Sequence, residues 1–297
     1  MKKFDCVIAS TKCVAISLML CAFLAACGDD DSWSPSDADN SRSSSSVIPG
    51  SDPESSSAEK QGSSSSSSVI LSSSEGSCSS SSSVVLATPC KTDTEDNCEY
   101  GELIDDRDGQ TYKTVKIGDQ VWMAENLNYE TGNSYCYNNN SANCAKYGRL
   151  YTWAATMDSV GEWSTNGKGC GYEKTCSPTY PVRGICPEGW HLPSKTEFET
   201  LFTAVGGQDS AGTALKSTGG WFNDGNDTDA FGFSALPAGD RGSNGGCNYE
   251  GLNAYFWSST EYDSNYAYNV LLYVNIDYAY LNYGNKDYGF SVRCLKD

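Results

Sequence analysis

Between Asp108 and Met123 apolar and polar side chains take turns around Gly118-Asp119, a period of two that predicts two short strands joined by a tight turn. Further on the spacing changes. Phe198, Leu201, Phe202 and Val205 recur at three and four residues, the stripe of a helix with one buried face. Ser194 stands where it can cap that helix, Glu197 three residues later can close a capping box, and Gly206-Gly207 ends it. The period returns to two in the tail. Val270, Leu272, Val274 and Ile276 fall on one face and Asn269, Leu271, Tyr273, Asn275 and Asp277 on the other, while Tyr288, Phe290, Val292 and Cys294 predict an inward-facing last strand close to Cys186. Phe231–Gly239 and Phe256–Glu261 are expected to be strands, and Tyr147–Met157 a buried turn entering a short helix.

The first residues carry a different pattern. Met1-Lys2-Lys3 is basic, Val14–Ala26 is apolar but short for a membrane span, and Leu24-Ala25-Ala26-Cys27 follows. This stretch resembles a bacterial lipoprotein signal, which implies removal of residues 1–26 and lipid on Cys27; an ordinary secretory signal cut at Ala26 is the plainer alternative. Several acyl chains on one cysteine suffice for stable anchoring, so the expectation is an envelope protein held on a membrane, with outer-membrane and surface display suggested by Gly28-Asp29-Asp30-Asp31. Residues 27–88 are dominated by serine and cannot bury enough apolar surface to offset chain entropy. They read as a tether, and about 55 residues of such coil reach roughly 40 Å.

Composition limits the partners. Of 297 residues, 38 are acidic and 20 basic, a formal charge of −18 that opposes binding to nucleic acid. There are 14 cysteines and one histidine, without CxxC or Cys/His spacing, which points to disulfides in an oxidising compartment and away from zinc. Cys90 and Cys98, Cys136 and Cys144, and Cys170 and Cys176 each bracket a loop. Cys78 and Cys247 pair or stay free.

Residues 89–297 are expected to form one domain. Asp108–Asn128, Tyr147–Trp153, Cys186–Pro193, Asp229–Gly239, Phe256–Glu261 and Tyr288–Cys294, taken in order, resemble the Fibrobacter succinogenes major paralogous domain. Leu192-Pro193-Ser194 to Glu197 and Gly289–Cys294 are similar to parts of the C-type-lectin-like fold of formylglycine-generating, sulfatase-modifying enzymes. The resemblance implies an α+β module with short antiparallel strands, few helices and disulfides. It implies no reaction.

A Cys186–Cys294 bridge would close about 109 residues, worth roughly 4.8 kcal/mol by chain entropy against roughly 2.6 for the shorter loops. It is therefore expected to be the main covalent staple. Thiol chemistry like that of the oxidases is not expected, because Cys294 has no second cysteine nearby. His191 is expected to be structural. Asp224, Asn226, Asp227 and Asp229 alternate oxygen donors as a Ca²⁺ loop does, although the bidentate Glu of an EF-hand is missing, and no cofactor is otherwise required. Ten of the 19 tyrosines follow Cys247, amid Asn, Asp, Ser and Gly. Tyr255, Trp257, Tyr262, Tyr266, Tyr273 and Tyr283 are the ligand-binding candidates, since such residues combine large amphipathic area with little rotamer loss. The expected function is a non-catalytic envelope module that binds plant-polymer carbohydrate or another surface partner. The alternatives are an enzyme of formylglycine-oxidase or glycosidase type, for which 38 acidic residues single out no pair, and a purely structural envelope protein.

Overall fold

The computed structural model describes residues 85–297. The leader, Cys27, the serine tether and Cys78 lie outside the described residues. In chain order the elements are β1 (Tyr100–Ile104), β2 (Thr111–Ile117), β3 (Gln120–Met123), β4 (Ser134–Tyr135), α1 (Ser141–Tyr147), β5 (Leu150–Tyr151), α2 (Trp153–Thr156), β6 (Trp190–His191), α3 (Lys195–Ala204), α4 (Gln208–Leu215), β7 (Asp240–Arg241), β8 (Cys247–Asn248), β9 (Asn253–Glu261), β10 (Tyr266–Tyr273), β11 (Tyr280–Asn285) and β12 (Leu295–Lys296). Packing starts by Ala87, whose amide donates to Ala204 O, slightly ahead of the expected boundary at 89.

One antiparallel sheet has the order β1-β2-β3-β12-β6, so the last strand lies between the β2–β3 hairpin and the strand just before α3. A second runs β11-β10-β9, and the pairs β4–β5 and β7–β8 are small. In both larger sheets the inner strands β3, β9 and β10 are covered on both faces, while the outer strands β1 and β11 are partly exposed. Neighbours in sequence go to opposite cores: Trp122 and Phe256 join one cluster with Phe198, Leu201 and Leu215 from the helices, whereas Met123 and Trp257 join another with Trp153, Ile185 and Phe290. Double coverage gives strands an almost unbroken apolar reading.

Residues 289–294 run extended between the sheets. Phe290 exchanges backbone hydrogen bonds with Tyr151, Trp257 N donates to Ser291 O, Leu127 N to Val292 O, and Met123 N to Cys294 O. Every residue from Gly289 to Leu295 is buried. The disulfide Cys186–Cys294 joins this segment to the approach of α3, and Cys90–Cys98, Cys136–Cys144 and Cys170–Cys176 close their loops. Cys247 is unbonded and half-buried, with Asn138 N at 3.2 Å from its Sγ.

The α3 entry has the predicted chemistry. Ser194 Oγ accepts from Glu197 N, and Glu197 Oε2 accepts from Ser194 N at 2.7 Å, a complete capping box. Glu197 Oε1 lies 3.0 Å from His191 Nε2, and Asp297 Oδ1 lies 2.7 Å from Nδ1. A carboxylate on each ring nitrogen favours the doubly protonated imidazolium. Burial alone would push the His191 pKa down, but the hydrogen bonds to Glu197 and Asp297 outweigh it and the net movement is upward.

Three expectations need correction. Phe231–Gly239 is not a strand: Gly232 and Ser234 have positive φ, and the Phe233 and Ser234 carbonyls turn to the Arg293 guanidinium instead of a neighbouring strand. β10 stops at Tyr273, leaving Ile276 exposed beyond it. On the face opposite Val270 and Leu272, Asn269 and Leu271 are buried and only Tyr273, at its end, reaches solvent.

Candidate functional site

The register of the β9–β10–β11 sheet decides which late tyrosines meet. Tyr268 sits opposite Tyr283, and Val270 opposite Leu281, so Tyr266, Tyr268 and Tyr283 share the face of Val270 and Leu272. In the middle of the sheet that face is covered by α3; at the 266–268 end it emerges. Tyr262 closes the β9–β10 turn by donating its amide to Tyr266 O, and Asp263 Oδ1 accepts from the Asn265 and Tyr266 amides at 2.7 and 2.8 Å. The turn is therefore held by its own aspartate.

Tyr262 stacks on Tyr283 with centroids 4.3 Å apart and planes at 6°; Tyr266 meets Tyr283 edge-on at 5.7 Å, and Tyr268 meets Tyr262 at 5.6 Å. Lys195, the first residue of α3, places Nζ 5.3 Å from the Tyr268 ring centroid while pairing with Glu199 at 2.9 Å. Tyr262 and Tyr283 remain nearly half exposed, at 49 and 48 %. The hydroxyls of these four tyrosines make no hydrogen bond to another described residue, so each is free to donate and accept outward.

Of the six aromatic residues singled out from sequence, then, Tyr262, Tyr266 and Tyr283 come together. Trp257 does not belong with them: it is fully buried, donates Nε1 to Tyr151 O at 2.7 Å and packs 4.3 Å from Phe290. Tyr255 stacks on Phe290 at 4.6 Å and accepts from Asn253 Nδ2, and its burial pushes the phenol pKa up. Trp257 is a core residue, and Tyr255 is half-buried against the same core. Tyr273 projects from the opposite face, edge-on to Tyr280 at 5.5 Å, in a separate group with Tyr278. Sequence reading missed Tyr268 and Lys195. Tyr268 was within reach, since it keeps period with Val270 once the strand is begun at Tyr266 rather than Asn269.

The Asp/Asn loop distributes its oxygens. Asp227 pairs with the buried Lys216 ammonium, which also donates to the Tyr273, Val274 and Ile276 carbonyls at 3.0 to 3.2 Å. Asp229 accepts from Lys91 Nζ at 2.7 Å and from Ser234, and Asn226 Oδ1 accepts from Trp221 N. Asp224 sits in the turn with φ of 57°. The four residues are not gathered on one point, and among the described residues no cluster of three or more His, Cys, Asp or Glu side chains is arranged to hold a metal ion.

Lysine ammonium groups tie loops together twice. Lys286, also fully buried, donates to the Lys174 and Ser264 carbonyls at 3.0 and 3.2 Å and pairs with Glu261, whose carboxylate accepts from Cys176 N. That fastens the Cys170–Cys176 loop to the β9–β10 turn beside the tyrosines.

These features define a disulfide-braced α+β module of small antiparallel sheets, with an aromatic edge built on a covered sheet. The family model described as the Fibrobacter succinogenes major domain matches residues 115–296, and the chain belongs to that family. No curated protein and no solved structure matches it.

Proposed function

We propose that this chain is a bacterial envelope lipoprotein, anchored through Cys27 and carried outward on the serine tether, whose module binds plant-polymer carbohydrate without chemistry. The observation that carries the reading is the Tyr262–Tyr266–Tyr268–Tyr283 edge. Aromatic rings held on a sheet lose little freedom on binding, and their outward hydroxyls suit the hydroxyl-lined faces of a sugar chain. A charge of −18 favours a neutral polymer over a polyanion at this open surface. Carbohydrate as the ligand also leans on the family's association with a cellulolytic source, an argument by analogy. The C-type-lectin-like reading of the fold is supported by the return of the last strand beside β3 and by the disulfide to the α3 approach.

The test is retention of the detergent-solubilised full chain on insoluble cellulose and xylan. Replacing Tyr262 and Tyr283 together by Ala should lower retention about tenfold, as expected for losing two stacking rings at about 0.5–1.5 kcal/mol each. Trp257 replacement would act through unfolding, visible as a lowered Tm. If the unaltered chain is retained on neither polymer nor on a glycan array, the reading is wrong.

A further inference from the structure

What the tyrosine edge can grip depends on how its rings are set against one another. Of the three ring pairs in contact, none lies side by side in one plane. Tyr262 and Tyr283 are parallel within 6° but stacked, with centroids 4.3 Å apart, so their outer faces look in opposite directions. Tyr266 stands at 81° to Tyr283, and Tyr268 at 82° to Tyr262. A flat slab laid face-on to the stack touches one of its two rings and meets Tyr266 and Tyr268 by their edges; laid on Tyr266, it meets the stack by its edges. A separate chain of sugars has no such limit. Rotation at each glycosidic bond lets one unit lie on a ring of the stack while a neighbour lies on Tyr266.

The charged groups around the rings favour a ligand without charge. The two ammonium groups fixed against this edge are matched, Lys195 by Glu199 and Lys286 by Glu261. In the adjoining Cys170–Cys176 loop the exposed Lys174 follows the equally exposed Glu173. Asp263 lies in the turn between Tyr262 and Tyr266, exposed, and forms no ion pair with a described residue. Its Oδ1 is engaged by the Asn265 and Tyr266 amides, which leaves Oδ2 without a partner among the described residues. A carboxylate oxygen so placed accepts from a sugar hydroxyl and repels a uronate.

Given the carbohydrate reading of this edge, on which the step rests, we infer that its ligand is a single, hydrated strand of neutral sugars and not the ordered face of a crystalline polymer. One pyranose lies on an outer face of the Tyr262–Tyr283 stack and a neighbouring one on Tyr266, while a hydroxyl of the strand donates to Asp263 Oδ2. A strand locked in a crystal cannot turn successive units toward rings set at right angles, and an acidic strand brings its carboxylates against Asp263.

Isothermal titration of the full chain in detergent with cellohexaose, xylohexaose and hexagalacturonate, together with its depletion from solution by microcrystalline cellulose, tests the inference. Cellohexaose or xylohexaose should bind about tenfold more tightly than hexagalacturonate. Tyr266→Ala should weaken that neutral hexaose about fivefold at an unchanged Tm. Asp263→Asn, which keeps an oxygen for the turn amides, should tighten hexagalacturonate and narrow the gap. Microcrystalline cellulose should take up no more of the unaltered chain than of one with Tyr262 and Tyr283 both replaced by Ala. Uptake on that surface that falls with the double replacement, or hexagalacturonate bound as tightly as the neutral hexaoses, would overturn the inference while leaving the edge a sugar site. Binding to no glycan, soluble or insoluble, would instead overturn the carbohydrate reading, and this inference with it.

Discussion

At the scale of the residue, the least replaceable side chain is Arg293. It is fully buried and has no carboxylate partner among the described residues, yet its guanidinium donates to Asn126 Oδ1, Met123 O, Phe233 O and Ser234 O, with the Phe233 ring 4.7 Å from Cζ. Desolvation brings its pKa down to about 9, which still leaves a cation at neutral pH. Four acceptors in a fork geometry cannot be served by an ammonium, so Arg293→Lys should be nearly as damaging as Arg293→Met, each costing about 3–5 kcal/mol in urea unfolding. His191 gives a pH signature. Its folded pKa is raised, so its contribution is complete below the unfolded value near 6.5 and is lost as pH rises through the folded value. Burial opposes the Glu197 charge, but His191 and Ser194 hold its pKa below the ordinary 4.5, so its contribution is present above that value and is lost as pH falls through the folded one. Stability should thus peak between the two, and the single histidine makes the NMR titration unambiguous. A midpoint at or below 6.5, or one unmoved by Glu197→Gln, would contradict this pair.

At the scale of the element, covalent and steric constraints set the predictions. Removing Cys186 and Cys294 together should cost roughly 4.8 kcal/mol by the chain-entropy model and removing Cys136 and Cys144 roughly 2.6, a difference that paired denaturant titrations resolve. Helix α4 packs its Gly212 against the turn after β10: a Cβ there would fall 2.4 Å from Asp277 O, so Gly212→Ala should destabilise by about 1–3 kcal/mol, measured as a lowered Tm. Much of this level was legible in the sequence. The α3 capping box needs only Ser194 and Glu197, three apart, and each of the short disulfides joins cysteines that bracket one loop. α4 is harder to see, since Ala211, Ala214 and Leu215 carry helical spacing but Ser210, Gly212 and Thr213 among them are weak helix formers. Phe231–Gly239 was read as a strand because its apolar run looks like one, while the Arg293 that claims its carbonyls lies about sixty residues away. Trp257 and, in part, Tyr255 are hidden for a related reason: period two assigns residues to faces but does not say that both faces of β9 are covered.

At the scale of the molecule, the two cores meet along residues 289–295, which touch β3, β5, β9 and the α3 approach in turn. Leu295 alone pairs with Trp122 on one side and His191 on the other. Each of these partners precedes it in the chain. A ribosome or a secretion channel delivers a polypeptide in one direction, so Trp122, Tyr151, Cys186 and Trp257 all emerge before the piece that seals them. Until then the module has two unfilled seams and an unpaired thiol at position 186. Closing the module is accordingly one act that waits for residues 289–295 rather than a gradual accretion of finished parts.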